Sequence, residues 1–148
     1  MLQTIDNLRE IKQRCIDGQP LDVNQSEWLG SALAHFLDHR CTSMDDALGL
    51  HFAQGGMPWW REEPNRARDA ALREIAQIFM QGLSKSAQAK QIAQLARRYA
   101  ASAWRLDQGC EDMPAHYEDT IKQPLWQAFR SGATMPIGER QLRNILAE

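Results

Sequence analysis

Valine occurs once in this chain of 148 residues, at Val23, and the other β-branched residues are scarce. Strands are built preferentially from β-branched and aromatic residues, so the chain has little material for a sheet. Alanine, leucine, glutamine and arginine, which favour helices, are abundant instead. We therefore expect an all-α fold, a compact bundle of six or seven short helices with essentially no strand.

Apolar residues recur at helical spacing along most of the chain, and glycine or proline punctuates the segments. Asn24 and Glu27 are spaced as a capping box, and Ser43 can cap a short third helix. Pro124 either kinks its helix or lies in the first turn of a shorter one. The predicted helices span about 4–17, 24–39, 43–48, 64–81, 84–108, 117–130 and 138–147.

The segment HFAQGGMPWW, residues 51–60, contains two glycines and a proline and predicts a break between helices. We favour a single domain over residues 1–148, because helices this short need each other's apolar faces. Two lobes, 1–54 and 61–148, joined by this Gly/Pro/Trp loop, are the alternative. Within residues 61–148 we expect a core that includes Ile92, Ala96, Tyr99 and Ala103, with Ile75 and Phe79 packed nearby.

The formal net charge is only -2, so bulk electrostatics select no partner. No apolar run approaches the roughly 20 residues of a membrane span, and the N-terminus lacks a secretory pattern. Three cysteines, Cys15, Cys41 and Cys110, are widely spaced and odd in number, which is typical of reduced thiols. We expect a cytoplasmic protein with no membrane partner.

Charge is distributed unevenly, and the basic excess lies in the middle of the chain. Residues 61–108 hold 9 basic and 5 acidic residues, and no acid occurs between Ser84 and Leu106. On a helix over 84–106, one arc of about 100° collects the polar residues that could contact nucleic acid. These candidate binding residues are Lys90, Gln94, Arg97, Arg98 and Arg105. Such a face suits a phosphate backbone or base edges, and a plain solvated surface is the alternative.

Two stretches of this half have the order helix, glycine-containing turn, helix, which is typical of helix-turn-helix units. The first is LREIAQIF, MQGLS and the basic helix. The second is LWQAFRSG, ATMP and IGERQLRNILA, where Ala128 and Gly132 have the expected separation. Gly138 departs from that pattern, because a β-branched residue is expected there. Helix pairs of this kind also occur in ordinary bundles.

Other candidate sites are weaker. Trp59 and Trp60 follow the glycines of the break and could form an interaction surface, or they could plug the core. His35 and His39 are four residues apart on the second helix, but the flanking Glu of the zincin motif is absent. We therefore expect no metal and two half-buried histidines that pack at the edge of the helix. Because no Gly-rich phosphate loop, GxSxG or HExxH occurs, we expect neither an enzyme nor a cofactor.

The run ALREIAQIF, then LSKSAQAKQIAQLARRYAASAWRLDQ, with the ending IGERQLRNILA, resembles short bacterial proteins of unassigned function. Such proteins occur in proteobacterial genomes, often near phage-derived genes, and the resemblance covers residues 61–147. It implies a bacterial cytosolic setting and a mobile-element origin. It transfers no active site to these residues.

The sequence is consistent with two functions of different classes. One is association with DNA or RNA through the basic helix 84–106. The alternative is a non-catalytic interaction module, binding a protein partner or a second copy of itself through exposed apolar surface near Trp59 and Trp60. A contiguous cationic surface favours the first, and an exposed apolar patch favours the second.

Overall fold

The computed structural model describes residues 2–52, 54–136 and 138–148. The all-α prediction is confirmed: these residues contain eight α-helices and no strand, and six of the helices have seven residues or more. The chain divides into two compact units, Met1–Trp60 and Arg61–Glu148.

The first unit contains three helices: α1 (Leu2–Ile16), α2 (Val23–Leu37) and α3 (Met44–Ala47). The predicted cap of α2 is wrong by two residues. Asp22, not Asn24, accepts the backbone N–H of Gln25 at 2.8 Å, and the Gln25 side chain accepts the N–H of Asp22 at 3.3 Å. A carboxylate also interacts favourably with the positive end of the helix dipole, which favours the earlier start.

Few apolar residues of the first unit are fully buried. Ile5, Ile11, Ala32 and Leu50 form its core, joined by the polar side chain of Gln25. The apolar side chains at the C-terminal end of α2 lie outside this core, and Leu37 is 70% exposed. This unit therefore buries little and presents apolar side chains to solvent.

Helix α4 (Trp59–Glu74) begins five residues before the predicted start at Pro64. Pro64 lies inside the helix and cannot donate the hydrogen bond that would reach the carbonyl of Trp60. The helix continues as a π-helical turn, Ile75–Phe79. Because π-helical bonds run from i to i+5, Met80 rather than Phe79 follows Ile75 into the core. The expected burial of Phe79 is wrong: it is 39% exposed.

The second unit continues with α5 (Lys85–Ala101), α6 (Trp104–Asp107), a 3-10 turn (Ala115–Tyr117), α7 (Lys122–Arg130) and α8 (Glu139–Ala147). Pro124 lies in the first turn of α7, so the shorter-helix alternative is the observed one. A continuous apolar core holds this unit together. It includes Leu72, Ile75, Ala89, Ile92, Tyr99, Tyr117, Leu125, Ala128, Leu142, Ile145 and Leu146.

Candidate nucleic-acid interface

Helix α5 is fixed at its N-terminus by two side chains. Ser84 Oγ accepts the backbone N–H of Ala87 at 3.2 Å. The buried Gln88 donates through Nε2 to the carbonyl oxygens of Ala76 (3.4 Å) and Met80 (3.0 Å). Those carbonyls lie at the π-helical end of the preceding helix, so Gln88 joins the two helices across the turn that contains Gly82. The hydrogen bonds of Ser84 and Gln88 thus fix the N-terminal end of α5 against the preceding helix.

The outer face of α5 carries the predicted cationic stripe. One side of the helix is buried, including Ala89, Ile92 and Ala96. On the other side, Lys90, Gln94, Arg97 and Arg98 are all exposed. Within the part of the chain that the structure describes, none of these four side chains makes a hydrogen bond or ion pair. The face is therefore available to a partner.

Arg105 does not belong to this helix, contrary to the expectation of a continuous helix to about residue 108. Helix α5 ends at Ala101, where Ser102 leaves the helical conformation and its Oγ donates to the carbonyl of Arg98 at 2.6 Å. Arg105 lies on α6 and is also exposed. The break removes it from the α5 stripe, which keeps three cations and Gln94.

The break is explained by a buried carboxylate. Asp107 is 8% exposed, and its Oδ2 accepts hydrogen bonds from the hydroxyls of Tyr99 and Tyr117, both at 2.7 Å. On a continuous helix, eight residues separate Tyr99 from Asp107 by about 12 Å along the axis. Turning the chain at Ser102 brings the two groups together, and burying a carboxylate without such bonds costs several kcal/mol.

This arrangement raises the pKa values of both tyrosines. Burial, followed by the hydrogen bond to Asp107, raises the pKa of Tyr99 well above its usual value. The same two causes raise the pKa of the Tyr117 hydroxyl. Asp107 gave no signal in the sequence beyond its place in a predicted helix, so this network was missed.

Several other cations of the second unit are used internally. Arg68 donates to the Thr134 carbonyl at 2.6 Å and pairs with Asp69 at 2.7 Å. Arg73 donates to the Ile145 carbonyl at 2.8 Å, and Lys85 donates to the Leu146 carbonyl at 2.7 Å. These bonds tie α4 and α5 to α8 and to the segment before it. Lys90, Arg97 and Arg98 of α5 differ from these cations, because their side chains make no such bond with any described residue.

The predicted tryptophan surface lies partly on a helix. Trp59 and Trp60 form the first turn of α4 rather than part of an irregular loop, which corrects the expected extent of the break. Trp59 is half-buried, whereas Trp60 is 52% exposed. The Trp60 ring packs edge-on against Phe52 and Trp59, each with centroids 5.9 Å apart.

The histidine pair is not arranged as expected. Helix α2 ends at Leu37, so His39 lies beyond the helix with a positive φ of 56°. Both His35 and His39 are exposed, which contradicts the expectation that they pack half-buried if they bind no metal. Among the described residues, no three His, Cys, Asp or Glu side chains are grouped as a metal site would require.

Among those same residues, no helix combines the length and apolar character needed to cross a membrane. Cys15, Cys41 and Cys110 are all free. Comparison with protein-family models, with curated proteins and with solved structures found no match.

The tyrosine network predicts a loss of stability at alkaline pH. Above pH about 10 the tyrosines of the unfolded chain ionise, while those of the folded chain, whose pKa values are raised, ionise at higher pH. The unfolded state then binds fewer protons, so the free energy of unfolding falls as pH rises. The chain has two tyrosines, both in this network, so tyrosinate absorbance reports on it alone.

We expect urea denaturation followed from pH 8 to pH 11 to show the loss beginning near the ordinary pKa of tyrosine. Tyr117→Phe should lower stability at neutral pH by about 1–3 kcal/mol and flatten the alkaline slope. Tyrosines that titrate near pH 10 in the folded protein would contradict this account.

Proposed function

We propose that the second unit binds nucleic acid, with the outer face of α5 contacting backbone phosphates. The observation that supports this proposal is a set of three exposed cations, Lys90, Arg97 and Arg98, on a helix segment without an acid. Their side chains make no hydrogen bond or ion pair with any residue that the structure describes. Arg68, Arg73 and Lys85 of the same unit instead donate to backbone carbonyls of other elements.

The spacing of this face suits a polyanion. Lys90 and Arg98 are eight residues apart, which is about 12 Å along a helix. Duplex DNA carries one charge per roughly 1.7 Å of its axis, so several phosphates lie within that length. Gln94, between the two cations, adds a neutral donor and acceptor.

The test is a titration of labelled duplex DNA and of single-stranded RNA, followed by fluorescence anisotropy at several salt concentrations. Three phosphate contacts predict that log affinity for duplex DNA falls with log salt with a slope of roughly -3. Replacing Arg97 and Arg98 with Ala should weaken binding and reduce that slope by about 2. This double variant should fold normally, because exposed charges contribute little to stability.

The matched control is Lys12→Ala/Arg61→Ala, which removes two exposed cations from α1 and α4 and changes the net charge equally. It should leave the slope within about 0.5 of the wild-type value if position rather than net charge matters. The proposal fails if neither nucleic acid binds at low salt, or if the Arg97/Arg98 variant binds as the wild type does.

A second candidate function, self-association through the first unit, is favoured by its exposed apolar side chains. Leu33, Phe36 and Leu37 on α2 and Trp60 on α4 are each at least 38% exposed, while the core of that unit is small. Apolar surface of this kind commonly marks an interface.

Sedimentation equilibrium over a range of protein concentrations tests this candidate. We expect a dimer whose dissociation constant rises at least tenfold in Trp60→Ser, because buried tryptophans dominate interface energies. Ile78→Ser, at a similarly exposed position of the second unit, should change nothing. A monomer at every concentration would rule out self-association.

A further inference from the structure

Helix α8 presents a row of polar side chains that the α5 stripe does not include. Four polar side chains of this helix are exposed: Arg140, Gln141, Arg143 and Asn144. The apolar residues that alternate with them, Leu142, Ile145 and Leu146, are buried. In the part of the chain that the structure describes, none of these four polar side chains has a hydrogen bond or an ion pair. The outer face of α8 is thus polar, exposed and unused.

The backbone of α8 is held firmly at its C-terminal end. Arg73 donates to the carbonyl of Ile145 and pairs with Glu148, both at 2.8 Å, and Lys85 donates to the carbonyl of Leu146. Cations at this end also interact favourably with the helix dipole. A helix anchored in this way can present its outer side chains from a fixed backbone.

Helices α5 and α8 pack along each other in opposite directions. Lys85, at the start of α5, contacts the end of α8. Near the end of α5, Arg97 lines a cavity of about 160 Å³ together with Met135 and Pro136, which lie shortly before α8 in the chain. Helix α8 begins at Glu139, three residues beyond Pro136, and three residues of chain span at most about 11 Å. The start of α8 therefore lies on the same side of the unit as this cavity. The cationic face of α5 and the start of α8 are neighbours on one unit.

We propose that α8 enters the major groove of duplex DNA and contacts base edges, while α5 lies on the phosphate backbone beside it. This inference rests on the proposed function. A helix with its side chains is about 10–12 Å across and the major groove about 12 Å wide, so two packed helices cannot both enter. One must read bases and the other must follow the backbone.

The side-chain chemistry assigns the roles. Arginine pairs with guanine through two hydrogen bonds, and asparagine or glutamine pairs with adenine in the same way. Helix α8 offers Arg140, Arg143, Gln141 and Asn144, a mixture suited to discrimination, and Glu139 offsets part of its charge. The α5 stripe offers mainly charge, which positions a protein without reading sequence.

The connection between α7 and α8 agrees with this assignment in order but not in length. Base-reading helices commonly follow another helix and a turn of three or four residues. Here eight residues, 131–138, separate Arg130 from Glu139. Met135 and Pro136 of this segment line a cavity together with Arg97, so the segment approaches the cationic stripe before α8 begins.

The experiment is selection from a library of DNA duplexes with a randomised central segment, using the full chain. The wild-type protein should enrich a motif. The Arg140→Ala/Asn144→Ala variant should lose its preference for that motif over a scrambled duplex by about tenfold or more, yet bind the scrambled duplex with little change. Arg97→Ala/Arg98→Ala should weaken binding to motif and scrambled duplexes alike.

Arg140→Lys separates base reading from charge. It keeps the cation but loses the paired hydrogen bonds, so the salt dependence should stay and the preference at one base position should weaken. Melting curves should match the wild type for every variant, because the substituted side chains are exposed.

The outcomes distinguish this inference from the function on which it rests. Binding of duplex without any enriched motif, an unchanged motif in the α8 variant, or tighter binding of RNA than of duplex would each overturn base reading by α8. The nucleic-acid function would survive those results. Absence of binding to any DNA or RNA at low salt would overturn both.

Discussion

The architecture of the second unit depends on one buried carboxylate. Asp107 accepts hydrogen bonds from Tyr99 on α5 and Tyr117 in the 3-10 turn, and so joins two segments on either side of the α6 region. The centroid of the Tyr99 ring also lies 5.1 Å from that of Phe129 on α7. Helix α5 ends at Ala101, and the turn that follows allows Tyr99 to reach Asp107. The same turn separates Arg105 from the other cations.

The use of cations divides the second unit into a structural part and an exposed part. Arg68, Arg73 and Lys85 donate to backbone carbonyls near or within α8. Lys90, Arg97 and Arg98 face solvent on the opposite side of α5 from its buried residues. The first group bonds to neighbouring elements, whereas the second group makes no hydrogen bond or ion pair with any described residue. This division supports the proposed function more than the net charge does.

Much of the fold could be predicted from local patterns. The scarcity of valine and the helical spacing gave the all-α class, and the burial of Leu142, Ile145 and Leu146 followed directly from their spacing. The exposed stripe on α5 was predicted residue by residue as far as Arg98. The outer face of α8 was accessible to the same reasoning, because the residues between its apolar positions are Arg140, Gln141, Arg143 and Asn144.

The errors arose where the phase or the end of a helix departs from the local pattern. The π-helical turn shifts the helix phase by one residue, so Met80 replaces Phe79 in the core. The hydrogen bonds to Asp107 end α5 early, and no local signal in Ala101 or Ser102 indicates that. Helix α2 stops at Leu37 rather than continuing through His39, so the two histidines do not share a helix face.

If duplex DNA binds as we propose, it contacts α5 and the adjoining start of α8. The most direct measurement is an NMR titration of isotope-labelled protein with a short DNA duplex at low salt. The account predicts that perturbed amides cluster on α5 from Lys90 to Arg98 and on the first two turns of α8, with α1 and α2 unchanged. Perturbations confined to Met1–Trp60, or their absence at saturating duplex, would contradict it.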